Sequence, residues 1–400
     1  ITSQKVKIIF ILLSIIILFN SISLNSVKKI NLKSKENKNL AEEITKVSYI
    51  ESNDGKYVPI PEGYEISKIE EEKSVDQGLV IYEKQVDWKE IEDISKTEEE
   101  KTKALVKIQS QYNQYVWVPV SESELGEIYG DEYGTGKLLG KPYTYNEDGR
   151  TALNWRIYKG KLSFVLGNVS KEPELNGANS DKRIDEMSLE KQLNMNREEI
   201  NRGLERMFYK TIKSIKKYGG FYIGRYENGY ENEKMVIHKM NENLTQKQWG
   251  QLYTEAKELK KDNDSIYTNL IWGSLWDHTI NWFVETNAKT YQEISDSTKF
   301  GNYWYSEFEY YADQNLNKAT KKRKNGIIIP TGSSEYTKVN NIYDMAGNTR
   351  ELTLENVSEE FNSRGGDYKR DQNCSCAERR ETRINLKDES VGSRSMLFLR

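Results

Sequence analysis

The sequence predicts one α+β domain built from short strands and a few amphipathic helices. Short runs of β-branched and aromatic residues recur at 78–82, 115–120 and 221–227. Longer stretches instead space their apolar residues three and four apart, as from Leu193 to Ile215. No repeat period and no second core is visible after about residue 45, so the 400 residues are read as one large domain.

Lys5 and Lys7 precede an apolar run over 8–19. Twelve residues rise about 18 Å as a helix, short of the roughly 30 Å bilayer core, although adding 20–24 would just span it. Residues 1–24 therefore read equally as a secretory signal peptide or an uncleaved membrane anchor, with the remainder secreted or held on the outer face of the cytoplasmic membrane. Residues 25–45 are polar and charged, as a spacer would be. A domain over 46–400 follows, with 46–114 as an N-terminal β extension and 115–400 as its core.

In the extension, Pro59 and Pro61 impose extended backbone. Residues 78–82 and 115–120 are strands, and Pro119 places the end of the second at a sheet edge. The Glu/Lys-rich stretch from Trp88 to Ser110 between them reads as a solvated helix or loop. Residues 121–187 are rich in Gly, Tyr, Asn and Asp and read as a loop insertion. Ser188 is the expected N-cap of the helix that carries Leu193, Ile200, Leu204, Phe208, Ile212 and Ile215. Gly219 and Gly220 end it, and a strand over 221–227 follows. Two more helices are expected, over about 245–259 and 274–286, the last with Trp272, Trp276, Ile280 and Phe283 as its apolar stripe.

Composition bounds the function. With 26 Tyr, 10 Phe and 8 Trp, the core is expected to be aromatic with polar handles that reach the surface. A net charge of −3 gives no general attraction to nucleic acid. The basic run from Lys321 to Lys324 has no aromatic interleaving and reads as a solvated loop. No serine nucleophile elbow, phosphate-binding glycine loop or zinc spacing is present. Cys374 and Cys376 are the only cysteines, so the chain does not rest on a disulfide framework.

Three segments carry a resemblance: Asn341-Ile-Tyr-Asp-Met-Ala-Gly-Asn-Thr-Arg-Glu351, Ser363-Arg-Gly-Gly-Asp-Tyr368 and Gly392-Ser-Arg-Ser-Met-Leu-Phe398. In that order at the end of the chain they resemble the N-x-Y-D-M-x-G-N-x-x-E, R-G-G-S-x and G-F-R signature of the formylglycine-generating enzyme (sulfatase-modifying factor) family. Gly220-Phe-Tyr-Ile-Gly-Arg-Tyr-Glu227 is similar to that family's F-x-I-x-x-Y-E strand. The helix bearing Trp249 and the block Ile271-Trp-Gly-Ser-Leu-Trp-Asp277 stand where the family has comparable elements. The resemblance covers roughly residues 115–400 and implies a loop-rich C-type-lectin-like domain with short antiparallel sheets.

The resemblance also defines candidate sites. In the family's oxidases two cysteines after R-G-G-S-x bind Cu(I), and the matching positions here are Arg370 and Ser375. Cys374 and Cys376 have the wrong spacing for that pair. In an extended segment, residues i and i+2 would nevertheless present two thiolates on one face, a possible copper site. Family members with calcium use the Asn and Glu of G-N-x-x-E, here Asn348 and Glu351. A turn whose side chains bond only the backbone is the competing reading. Arg350 and Leu352 replace aromatics of the enzymes' peptide-binding surface. His238 and His278, the only histidines, cannot supply a three-histidine iron site.

Residues 302–311 concentrate aromatics, and 367–383 form a charged loop. Tyr303, Trp304, Tyr305, Arg370, Asp371 and Asn373 are thus candidates for a ligand-binding face, with core packing as the competing role of the aromatics. The sequence therefore predicts a non-catalytic, exported or membrane-anchored surface protein that binds an extracellular protein or glycan through this face. The alternative is a divergent copper-dependent oxidase that converts a sulfatase cysteine to formylglycine, with Cys374 and Cys376 as metal ligands.

Overall fold

The fold is organised around a six-stranded antiparallel sheet whose members come from both ends of the chain. It is seen in a computed structural model that describes residues 47–121, 189–259, 262–357, 360–372 and 374–400. The apolar run at 8–19, the spacer, Asn373 and all but the first residue of the 121–187 insertion lie outside the described residues. No helix among those described is long and apolar enough to cross a membrane.

The chain opens with a hairpin of β1 (Val47–Glu51) and β2 (Tyr57–Pro61). Strands β3 (Tyr64–Ile66), β4 (Val80–Glu83), β5 (Gln114–Pro119) and β6 (Gly220–Gly224) follow in order in the large sheet. The last strand, β18 (Ser395–Leu399), pairs with β6 on one side and with β9 (Ile266–Leu270) on the other. The N-terminal extension is thus integral to the main sheet. Because β5 lies between β4 and β6, the expectation that Pro119 marks a sheet edge is corrected. Pro119 is instead the last residue of an interior strand, opposite Gly220, where the ladder is ending and a missing N–H is tolerated.

A second sheet, ordered β16 (Arg379–Arg383), β15 (Glu360–Arg364), β14 (Arg350–Val357) and β17 (Val391–Ser393), carries the candidate loop. Only its β14–β17 pair is parallel. Three two-residue-to-four-residue hairpins complete the strands: β7 (Gly229–Glu231) with β8 (Lys234–Val236), β10 (Phe308–Tyr311) with β11 (Lys318–Lys321), and β12 (Lys338–Val339) with β13 (Ile342–Tyr343).

The helices follow their local signals. Helix α1 (Glu98–Gln109) starts at a Thr97–Glu100 capping box. It is not wholly solvated, because Ala104, Val106 and Ile108 are buried. Helix α2 (Arg197–Tyr218) is capped by Asn196, whose side chain accepts from the Glu199 N–H, and ends at Gly219 with φ of 79°. Asn196 is thus the cap of the long helix, while the expected cap Ser188 lies outside the described residues. A separate short helix, Leu189–Leu193, precedes the long one and begins directly after Ser188, so the expected helix is interrupted between Leu193 and Asn196. Helices α3 (Trp249–Glu258) and α4 (Gly273–Glu285) fall close to their expected spans. Trp272, Trp276, Ile280 and Phe283 are all fully buried, as the stripe predicts. The core is aromatic: Trp249 stacks on Phe361 at 3.8 Å between ring centroids, and Phe208 meets Trp272 edge-on at 5.1 Å. The architecture is therefore α+β, with short antiparallel sheets and helices packed against them.

Asn341 locks the extension to the rest by donating from Nδ2 to the carbonyls of Glu71 and Gly78, both at 2.9 Å. Gly78 makes this approach possible: its φ is +90°, and a Cβ there would lie 1.9 Å from the Asn340 carbonyl oxygen. Gly78→Ala should destabilise the protein by about 2 kcal/mol or more, a clear drop in Tm by thermal melting, because strain and a backbone clash act together. A melting curve unchanged by this substitution would mean that the extension does not dock here.

Candidate functional site

The two thiols sit deep in the fold. Cys376 is fully buried and Cys374 nearly so, and both belong to the main hydrophobic core. Their loop is fastened to the 294–297 turn: the Ser297 N–H donates to the Cys374 carbonyl at 2.6 Å, and the Cys376 N–H donates to Ser297 Oγ at 3.0 Å. The Trp276 indole N–H donates to the Cys376 carbonyl at 2.9 Å. The Glu378 N–H donates to the Ser375 carbonyl at 2.9 Å and closes a turn over 375–378. Cys376 therefore lies within a turn, and the extended geometry expected to align the two thiols is not present. Burial pushes both thiols up to about 12, so in the metal-free protein each is a neutral S–H at physiological pH, and a metal would have to displace both protons.

The aromatic segment and the charged loop meet, as expected from neither segment alone. The Trp304 N–H donates to the Arg370 carbonyl at 2.9 Å. Their side chains divide into two groups. Tyr303 is fully buried, and its hydroxyl donates to the Gly365 carbonyl at 2.7 Å, so its expected place on a ligand-binding face is corrected to a core role. Arg370 is turned toward Glu378, donating from Nε to Oε2 at 3.1 Å and from Nη2 to Oε1. Tyr305 is 39% exposed, Trp304 is half-buried and Asp371 is exposed. These three remain available to a ligand.

Lys321 opens the basic run expected to be a solvated loop, and that expectation is corrected at this residue, which is buried at the end of β11 and organises the aromatic turn. It closes β11 fully buried, and its Nζ donates to the carbonyls of Tyr303, of Trp304 at 3.2 Å and of Ser306 at 2.8 Å. A buried ammonium needs such partners. Here the carbonyls of one turn supply them, so the charge of Lys321 holds the turn that presents Trp304 and Tyr305. Burial lowers the Lys321 amine to about 8. The only sequence signal available was the Lys-Ala-Thr-Lys alternation of a short edge strand, which does not say which lysine points inward.

Behind this face lies a node of buried carboxylates. Asn348, in left-handed geometry at φ 59°, accepts at Oδ1 from Asn302 Nδ2 and from the Ile329 N–H, each at 3.0 Å. Its Nδ2 donates to Glu227 Oε2 at 2.6 Å. Glu227 also accepts from Asn243 Nδ2 at 2.5 Å, and from the N–H and hydroxyl of Thr349 at 2.9 and 2.5 Å. Glu351 accepts both arms of Arg394, Nε at 2.9 Å and Nη2 at 2.5 Å, with both side chains fully buried. Arg394 also donates to the carbonyls of Gly224 at 2.9 Å and Tyr343 at 2.8 Å. The side-chain oxygens of Asn348 and Glu351 are thus occupied by protein donors, and a calcium ion would have to displace Arg394 from Glu351. This arrangement does not fit the calcium expectation. Among the described residues no group of three or more His, Cys, Asp and Glu side chains is placed to hold a metal.

The histidines serve the scaffold: His238 Nδ1 lies 3.0 Å from Glu231 Oε2, and His278 Nε2 lies 2.7 Å from the Pro119 carbonyl. No protein-family model, curated protein or solved structure matches the chain. The site must be judged on its own geometry.

The node makes stability depend on pH. Burial raises Glu351 from its ordinary 4.5 to about 7, against the pull of Arg394, and nearby Asp344 pushes it further up. Burial raises Asp344 as well. A carboxyl raised by folding contributes stability that is fully present below its unfolded value and is lost as pH rises through its folded one. Tm should therefore fall between about pH 5 and pH 8. Asp344→Asn removes the neighbouring charge with a residue that tolerates the φ of 59° found there. It should lower the Glu351 pKa and flatten the decline. An equally steep decline in that variant would show that the two carboxyls do not interact.

Proposed function

We propose that this chain is an exported or membrane-anchored surface protein whose α+β domain has the C-type-lectin-like form of the formylglycine-generating family and binds an extracellular protein or glycan without catalysis. The observation that carries this reading is the contrast between the two halves of the candidate region. The thiols that a copper oxidase would need are neutral and packed into the core, whereas half-buried Trp304 and exposed Tyr305 reach the surface on a turn held by Lys321, with Asp371 exposed on the neighbouring loop. Aromatic side chains held this way offer large contact area with little entropy to lose on binding. The apolar run at 8–19 supports export. For the lectin-like form, the support is that the three signature segments converge: Glu351 pairs with Arg394, and the Gly347 N–H donates to the Gly365 carbonyl of the R-G-G turn at 2.9 Å. The alternative, oxidation of a sulfatase cysteine with Cu(I) and oxygen, requires two thiolates sharing a metal, and their burial weighs against it.

Two measurements test the proposal. A Cys-x-Pro-x-Arg peptide incubated in air with the Cu(I)-treated protein should keep its thiol mass by mass spectrometry. Formylglycine formation that is lost in Cys376→Ser would overturn the non-catalytic reading. On a printed array of glycans and extracellular proteins, Trp304→Ala combined with Tyr305→Ala should abolish binding while Tm changes by no more than a few degrees. Retained binding in that folded double variant would move the binding face elsewhere.

A further inference from the structure

Three exposed cations, Lys322, Arg323 and Lys324, follow Lys321 directly. None forms an ion pair with a described residue. Their neighbours differ: Lys318 pairs with Glu309 at 3.5 Å, Lys369 with Glu389 at 2.6 Å, Arg350 with Asp367 at 2.6 Å, and Arg370 with Glu378. Once those pairs are set aside, three positive charges remain against two exposed carboxylates, Glu307 and Asp371. The segment also runs against the aromatic turn. The Lys324 N–H donates to the Trp304 carbonyl at 2.7 Å, and the Trp304 indole packs on Gly326, where a Cβ would come within 2.9 Å of the ring. One side of the indole is therefore covered by the backbone of the segment that carries the cations, and the ring is half-buried. The aromatic interleaving absent from the linear basic run is restored by the fold.

Building on the proposed binding face, we infer that it recognises an acidic polysaccharide whose carboxylates are carried on the sugar rings. The aromatic pair suits the apolar faces of pyranose rings, which a phosphate-linked polyol lacks. The cations suit anions placed beside those rings: Arg323 through a two-pronged fork and the lysines as point charges. Neither half alone sets this preference. Rings without charge would leave three cations unanswered, and charge without rings would leave Trp304 and Tyr305 idle. The Lys321 ammonium fixes the geometry by holding the carbonyls of both aromatic-turn residues, Tyr303 and Trp304, on the strand that leads into the cations.

The test is calorimetric titration of the purified full chain with oligogalacturonate, and in parallel with an uncharged galactan oligomer of the same length. The inference expects oligogalacturonate to bind at least about tenfold more tightly, with an affinity that falls as salt is raised. The triple variant Lys322→Gln, Arg323→Gln, Lys324→Gln should lose that advantage and the salt dependence. Its Tm should be unchanged, because all three side chains are exposed. Equal affinity for both oligomers, or full uronate affinity in the triple variant, would overturn the inference but leave the binding face standing, since Trp304→Ala would still weaken both ligands. Failure of oligogalacturonate to bind would also overturn it, and the glycan and protein array then decides the wider proposal separately.

Discussion

The fold depends on a closure made late in the chain, where Arg394 reaches Glu351 in a fully buried, two-armed pair. The same guanidinium bonds the carbonyl of Gly224 at the end of β6 and that of Tyr343. One side chain thus ties together the middle of the large sheet, the 341–351 segment and the start of β18. Its donors have partners on several sides, which a buried charge requires. Removing either member would leave the other uncompensated, at a cost of about 3–5 kcal/mol. Glu227 extends the node without a cation of its own, relying on donors from Asn243, Asn348 and Thr349. The central ladder between β6 and β9 cannot be completed until β18 arrives from the end of the chain. Contacts of such long sequence separation slow folding, because loop closure must precede them.

That node explains why the outer face can be built mostly from loops. Gly347, at φ 74°, brings its backbone so close to Asn302 that a Cβ would lie 2.2 Å from the carbonyl oxygen. Asn302 is bonded to Asn348, and the next residues are Tyr303 and Trp304. Rigidity therefore passes from the buried carboxylates through Asn348 and Asn302 to the aromatic turn in a few bonded steps. Lys321 holds the same turn from the opposite strand. Loops fixed in this way lose little freedom when a ligand arrives, which favours recognition more than a mobile loop of the same composition would.

Much of the scaffold was legible because it follows local rules. The spacing of Ile200, Leu204, Phe208, Ile212 and Ile215 marks one helical face, and Gly219 ends the helix through a conformation that glycine adopts cheaply. The break in the helical run, where Asn194 turns left-handed and Asn196 caps a second helix, was not read because the apolar spacing continues across it. Pro119 misled for a tertiary reason: its effect on a ladder depends on whether it falls within the ladder or at its end. The site was less legible. Tyr303, Trp304 and Tyr305 are consecutive, yet one is in the core, one half-covered and one exposed, a sorting set by the turn and by the carbonyl contacts of Lys321. Arg370 looked free in sequence because Glu378, its partner, lies eight residues away across a turn.

The thiols show how the same residues acquire a different meaning from their depth. A cysteine pair at a solvent-facing loop beside a cation is poised as thiolate, and a soft metal or an oxidant can reach it. Cys374 and Cys376 instead complete the apolar surface under the 294–297 turn, and their loop is held by Ser297, Ser375 and Trp276 through the backbone. Arg364, paired with Asp277, and Arg370, paired with Glu378, still pull the thiols toward the thiolate, but burial outweighs that pull. Depth therefore keeps the sulfurs neutral in the metal-free protein. By contrast, Trp304 is half-buried, and Tyr305 and the cations at 322–324 are exposed.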